Sequence, residues 1–503
     1  MILSVFSPPV SNHASHKMSG SAKFGSQINI CCLSLALVFV PISNSQANEY
    51  NLPELGNRSS ATVSLQKEKI IGQSWLRSFR SRVPSNSDAL MYIYLENLIN
   101  NLAKSSDLTD RNLDLLVVKN PTMNAFAVPG GVVGVHTGLF LFAETEGELA
   151  SVLAHELAHL SQRHFARGIE KQQQNQIPLM AAMLASLILI ATTGGDAGLA
   201  ALTTTQAAAL DSQLRFSRQN EQEADRLGMQ TIIKAGLDPN STANMFERML
   251  RANRGNRRPP EFLLTHPVSE SRIADARNRA DVNSRHQFTD NIDFHLMRVR
   301  AQLLHSETPQ KAVKRFNNEL NGESLSAEAS RYGLTLALIK SGQSQKAKQA
   351  LQPLLDKSPN KIAYVLAQAD IEASMENFQT ALNIIETRLL SAPNNHPLIM
   401  RYAELLMRNG DYPLSEEVLQ RHVVLHPKDD YVWYLMAEAH GLAGNIYNVH
   451  TARAEYFILN GIYDKAKRHL ESALTLTDGA YIKSAVLNER IKQIDKMMEE
   501  IKL

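Results

Sequence analysis

Apolar residues recur at helical spacing at Leu149, Val152, Leu153, Leu157 and Leu160, which predicts a helix buried along one side. Thr145-x-x-Glu148 just before them is a capping box, the signature of a helix start. Upstream, residues 113–119 are a short β-branched run. Residues 124–129 and 132–136 read as two more strands, joined by a turn at Gly130-Gly131. These glycines are not a phosphate loop, because no Lys-Ser/Thr follows them. A different pattern begins after about residue 290, where the chain becomes helical throughout and periodic. Pro359, Pro393 and Pro427 stand 34 residues apart, Ala369, Ala403 and Ala437 keep the same interval, and Gly342, Gly410 and Gly444 share one phase of it. Beyond 445 the phase slips by half a period at Ala454 and Gly461, as if one helix served two neighbouring units. Residues 292–322 read as a degenerate first unit.

The ends and the middle add compartment and charge. The first 47 residues carry Lys17 and Lys23, no acidic residue, an apolar stretch from Ile28 to Ile42, and a small-x-small site at Ser45-Gln46-Ala47. This predicts a secretory signal peptide cleaved after Ala47, with Met18 an alternative start. An uncleaved anchor is the other reading, disfavoured because the run is shorter than the ~20 residues of a span. Cys31 and Cys32 are the only cysteines, so the exported chain would hold no disulfide. Lys and Arg total 52 against 50 Asp and Glu. Losing the leader leaves a neutral chain with no footprint for nucleic acid. Residues 177–191 are apolar on every side but short for a span. They read as buried core, with a lid or a peripheral membrane contact as the alternative.

The helix opened by Thr145 carries the chemistry. His155-Glu156-Leu-Ala-His159 places two imidazoles one turn apart on one face, within reach of a single zinc ion. Glu156 then stands where it can take a proton from the attacking water and pass it to a leaving amine. The long zinc-protease pattern with its third histidine is excluded, since it needs Gly at 162 and His at 165, where this chain has Gln162 and Phe165. His164 lies off the ligand face and reads as a helix-end or surface residue. Glu221 and Asp225 are again four apart, so one can bind the metal while the other holds the outer N–H of a ligand histidine. Glu223 points away and reads as solvated. His266, in a Thr-His-Pro turn expected to move, has two candidate roles. It can donate to the oxyanion, or it can fill the open metal position as a fourth, regulatory ligand.

The strings at 155–159, Glu221-Gln-Glu-Ala-Asp225-Arg-Leu-Gly228 and Leu264-Thr265-His266-Pro267 together resemble the zinc metalloproteases that include HtpX, the Oma-type mitochondrial proteases and the CAAX prenyl endopeptidases. The resemblance spans about residues 70 to 280. It implies Glu221 as the third zinc ligand, Asp225 in support, one zinc per chain and a regulatory contact at His266. One departure is that HtpX and the prenyl proteases are multi-pass membrane enzymes, whereas this chain has no comparable set of spans. Asn124-Ala125-Phe126 is similar to the edge strand on which thermolysin-like proteases hold substrate, although a plain hairpin would use the same residues. The 34-residue period resembles tetratricopeptide repeats, whose stacked helix pairs form a groove for peptides or partner proteins.

The expected fold class is mainly α: an α+β zincin (gluzincin) protease domain with a small β-sheet, then an α-helical tetratricopeptide solenoid. The expected boundaries are 1–47 for the signal, 48–288 for the protease and 289–503 for the repeats. Leader, gluzincin and repeats together resemble the periplasmic β-barrel assembly-enhancing protease family of Gram-negative bacteria. That resemblance implies a periplasmic zinc endopeptidase with chaperone-like activity on unfolded or misassembled outer-membrane proteins. Its partners would be the β-barrel assembly machinery and the lipopolysaccharide-transport barrel. The rival reading is a non-proteolytic chaperone or scaffold working through its repeats.

Overall fold

The structure is a computed structural model that describes residues 63–83, 85–171, 185, 188, 218–255, 260–281, 288, 290–306 and 308–501. The expected signal peptide at 1–47 lies outside these, as does 177–191 apart from Ala185 and Ile188. Ile188 is buried in a small apolar cluster with Phe79, Phe126 and Ala166. No helix among the described residues is long and apolar enough to cross a membrane.

Two helices open the described chain, α1 (Leu65–Arg80) and α2 (Ala89–Ser105), capped by the side chains of Ser64 and Asp88. The predicted strands follow as β1 (Asp114–Val118), β2 (Ala125–Val128) and β3 (Val132–His136). Their order is β1-β3-β2, with β3 parallel to β1 and antiparallel to β2, so β2 lies at an edge. Gly130 and Gly131 make the β2–β3 turn at φ 85° and 86°, a conformation that glycine adopts without strain. Gly130 also presses on α1: a Cβ there would sit 2.5 Å from the Glu68 carbonyl.

After the short α3 (Leu139–Phe142) comes α4 (Glu146–Ser161), started by Thr145, whose hydroxyl accepts from the Glu148 N–H at 3.2 Å. The return half of the box is displaced by one residue, because the Glu148 carboxylate accepts from the Glu144 N–H at 2.7 Å. Nor is the helix buried on one side only. Every residue from Gly147 to His159 is buried, so the polar His155, Glu156 and His159 are as enclosed as the leucines. Helix α5 (His164–Lys171) follows, and α6 (Arg218–Lys234) lies against α4. Gly228 permits this close approach: a Cβ there would sit 3.2 Å from the His155 nitrogen. Helices α7 (Asn240–Gly255), α8 (Glu261–Thr265) and α9 (Glu270–Asp281) complete this half.

Twelve helices then follow among the described residues. Helices α10 (Ile292–Leu304) and α11 (Pro309–Asn321) both pack on α12 (Ala327–Lys340), α12 also pairs with α13 (Ser344–Lys357), and α14 (Ile362–Ser374) pairs with α15 (Phe378–Leu389). Next come α16 (His396–Asn409) with α17 (Tyr412–Leu425), α18 (Asp430–Leu442) with α19 (Ile446–Leu459), and α20 (Tyr463–Thr475) with α21 (Tyr481–Ile501). Helices α14, α16 and α18 begin 34 residues apart, and Ala369, Ala403 and Ala437 are buried within them. Gly342, Gly410 and Gly444 end helices in the left-handed region, and Glu376 takes their place in the remaining unit at φ 64°. The period therefore continues where the glycine series has a gap. Where the phase slips, α19 packs against both α18 and α20.

The expected boundary at 288/289 falls between α9 and α10, but the largest apolar core runs across it. Met91, Leu153 and Phe140 share one cluster with Phe294, Tyr332, Tyr364 and Ile371. Helix α2 is the shared element, resting on both α10 and α16. Arg300 reaches Asp88 at 2.6 Å and Lys428 reaches Asp114 at 2.7 Å. A chain cut near 325 would leave part of this apolar face uncovered.

Candidate metal centre

Helices α4 and α6 and the end of α8 bring four donor atoms together. His159 Nε2 lies 3.0 Å from His155 Nε2, and His155 Nε2 lies 3.3 Å from His266 Nδ1. His266 Nδ1 is 3.0 Å from Glu221 Oε1, which is 3.4 Å from His159 Nε2. A tetrahedral first-row metal ion with bonds of ~2.0–2.1 Å needs donor–donor edges of roughly 3.3 Å. The donor set therefore fits a metal. The electrostatics agree. Burial alone would lower the His155 imidazole, yet Asp225 and Glu221 carry it up to about 9. Burial alone would raise Glu221, yet His266, His155 and His159 hold it well below the usual carboxylate range. The carboxylates thus favour positive charge on His155, while burial pushes the His159 imidazole well below its ordinary range.

Two outer contacts orient the rings of His155 and His159. Asp225 Oδ1 lies 3.0 Å from His155 Nδ1, and Arg272 donates to Asp225 through Nε and Nη2, each at 2.7 Å. The same guanidinium lies 2.9 Å from Glu221 Oε2 and donates to the Pro267 carbonyl at 2.7 Å. One arginine thus ties α9 to α6 and to the turn after His266. On the other side, His164 Nδ1 lies 2.9 Å from His159 Nδ1, and its Nε2 lies 3.0 Å from Glu223 Oε2. Arg167 then donates to Glu223 at 2.8 Å.

This corrects two expectations. His164 does stand at a helix end, as the first residue of α5, but it is 1% exposed and not a surface residue, and Glu223 is a half-buried member of a relay, not a solvated charge. The helical wheel missed both, because Arg163 takes the left-handed conformation at φ 48° and breaks the helix between α4 and α5. His164 is thereby turned back under His159. Arg272 had no sequence signal at all.

Glu156 is 2% exposed, and burial raises its carboxyl against the opposing pull of His266 and His155. Its Oε1 has no hydrogen-bond partner and faces His266 Nε2 at 3.4 Å. The backbone N–H of Ala127 on β2 also stabilises the carboxylate. The strand residues divide accordingly. The Asn124 carbonyl accepts from His136 of β3 at 3.0 Å, and Phe126 packs against Trp75. By strand alternation the outward backbone groups of β2 belong to Ala125 and Ala127. His266 is the C-cap of α8 and 3% exposed, with its ring stacked on Phe262 at 4.7 Å. It is a packed residue.

Residues 92–280 match the model of peptidase family M48, and residues 373–439 match a tetratricopeptide repeat. The β-barrel assembly-enhancing protease of Escherichia coli O157:H7 is 32% identical over 455 residues, which are 90% of this chain and 92% of that one. The chain belongs to this family of M48 peptidases. A second relative, a putative β-barrel assembly-enhancing protease of Vibrio cholerae, is 32% identical over 94% of this chain and 98% of its own. The mitochondrial metalloendopeptidase OMA1 of Schizosaccharomyces pombe is 31% identical over 47% of this chain and 64% of its own. This M48 peptidase is accordingly a metalloprotease. The cluster of His155, His159, Glu221 and His266 lies inside the matched segment and can hold its metal.

Proposed function

We propose that this protein is a periplasmic zinc endopeptidase with chaperone-like activity that removes misassembled outer-membrane β-barrel proteins and favours correct assembly. The observation that carries the reading is the convergence of His155, His159 and Glu221 at metal-ligand spacing, with the buried Oε1 of Glu156, which makes no hydrogen bond, beside it. Borderline-soft zinc suits two imidazoles and a carboxylate. Bound there, it would polarise the scissile carbonyl and lower the pKa of the attacking water.

Glu156 is the general base and then the acid, carrying the proton from water to the leaving amine. Asp225 and His164 position the rings of His155 and His159. The free edge of β2 takes an extended substrate as an added strand, which gives broad sequence tolerance. His266 occupies the fourth position and keeps the enzyme latent until α8 moves. Helix α8 is tied to the entry of β2 by the Phe262 N–H on the Met123 carbonyl at 3.3 Å and by the Asn124 amide on Glu261 at 3.4 Å. A substrate strand pulling on β2 therefore acts on the residue that blocks the metal.

The repeats recruit partners from the assembly machinery. Leu390 and Leu425 are 87% and 55% exposed and line one cleft with Pro393 and Ile399. Large apolar side chains left in water beside a groove mark a protein contact.

The test is digestion of an unfolded outer-membrane barrel protein and of casein. Both should be cleaved, a chelator should stop both, and zinc should restore both. Leu390→Asp should slow cleavage of the barrel protein alone. Cleavage that persists with zinc removed would overturn the metal mechanism, and casein cleavage without barrel cleavage would overturn the substrate assignment.

Asp225→Asn and His164→Ala are each expected to weaken zinc binding by about 10–100-fold, the usual loss when a ligand imidazole loses its outer partner. Competition with a chelator of known affinity measures this. Unchanged affinity in His164→Ala would remove His164 from the positioning role.

A further inference from the structure

A second group of imidazoles meets in the solenoid, away from the protease centre. His396 opens α16, His422 lies in the last turn of α17 and His426 caps that helix. His422 and His426 are four residues apart, the spacing that already brings His155 and His159 onto one face. His396 Nδ1 lies 2.8 Å from His422 Nε2. The three rings have centroids 4.6 to 5.0 Å apart, and one nitrogen from each lies within 4.8 Å of the others. His396 and His422 are 4% and 2% exposed, and His426 is half-buried.

We propose that His396, His422 and His426 form a second metal site, a three-imidazole seat for a zinc-type divalent ion. Three converging imidazoles with one open position are a donor set that zinc and its neighbours take up. Two features support a ligand here over a plain ring stack. His396 Nε2 lies 3.3 Å from Asp429 Oδ2. That outer carboxylate fixes the proton on Nε2 and turns the Nδ1 lone pair toward the other two rings. His422 Nδ1 is buried with no hydrogen-bond partner, so the ring is held without its full complement of bonds.

The site would join the first helix of one repeat to the second and, through Asp429, to the cap of α18. It lies where the solenoid leans on the protease. The His396 ring is 6.3 Å from that of Tyr92 on α2, and Lys428, next to Asp429, pairs with Asp114 of β1. Occupancy would stiffen the repeat that braces the protease half.

The experiment counts metal on the full chain, loaded with zinc and passed through a column with a weak competing chelator. Two ions per chain are expected for the unaltered protein, one for His426→Gln, and one for a His155→Ala/His159→Ala double variant. One ion on the unaltered protein overturns the proposal, as does a second ion retained by His426→Gln. His426 is the most exposed of the three, which favours folding of its variant. Should it not fold, the zinc X-ray absorption spectrum of the double variant reads the site directly. Imidazole-dominated scattering supports the assignment, whereas absence of zinc overturns it. The result is independent of the protease reading, because the double variant has lost that site.

Discussion

Glu156→Gln is expected to abolish peptide hydrolysis, with a loss of about 10²–10⁴-fold or more, while zinc content stays near one ion per chain at the protease centre. Glutamine has the same volume, so the closed packing around position 156, which is 2% exposed, is kept. Glu156 is not among the four residues whose donor atoms converge, so the metal should not notice the change. What is lost is the ability to accept a proton. The wild-type site is arranged for that step: burial raises the carboxyl, so it holds a proton more readily than an exposed glutamate. Cleavage of casein at the wild-type rate would show that Glu156 has been given the wrong role. Loss of zinc would show that it is a ligand.

His266→Ala is expected to raise basal proteolysis, including self-cleavage, by about tenfold. A site whose open state is only fractionally populated works at that fraction of its capacity, and an open fraction of ~10% gives this factor once the plug is removed. His266 Nδ1 completes the donor set at 3.3 Å from His155 and 3.0 Å from Glu221. A nitrogen at that place competes with water for the metal. The alternative is that His266 donates to the oxyanion through Nε2, which faces Glu156 at 3.4 Å. Removing an oxyanion donor lowers kcat by about 10²–10³-fold. The two roles therefore predict opposite signs, and an unchanged rate rejects both. A companion variant, Phe262→Ala, removes the ring stacked on His266. It should raise basal activity in part if the plug is held by packing.

Two pairs in the candidate centre were legible because they rest on local periodicity, whereas the choice of Glu221 over Asp225 as ligand and the contact at His266 came from the family resemblance. Two histidines four apart share a helix face in any fold, as do Glu221 and Asp225, and the 34-residue period survives in the helix starts of α14, α16 and α18. The Gly130-Gly131 turn and its flanking strands were equally local. Where one backbone angle departs from the regular wheel, periodicity fails. The positive φ of Arg163 turned an outward histidine into the buried partner of His159. Arg272 escaped because a guanidinium spanning 47 residues to Asp225 leaves no mark in spacing. The shared core across the expected boundary was not legible, since apolar pattern shows which face is buried and not what covers it. Helix α2 buries one side under the catalytic helix and another under the repeats. Nothing in the order of residues could show that His396 and His422, in different helices, close on each other at 2.8 Å. The chain determined its helices, its strands and the candidate metal ligands on its helix faces by itself. Only the tertiary structure decided which charged groups lost their water, and desolvation is what turns a histidine beside a carboxylate into part of a site.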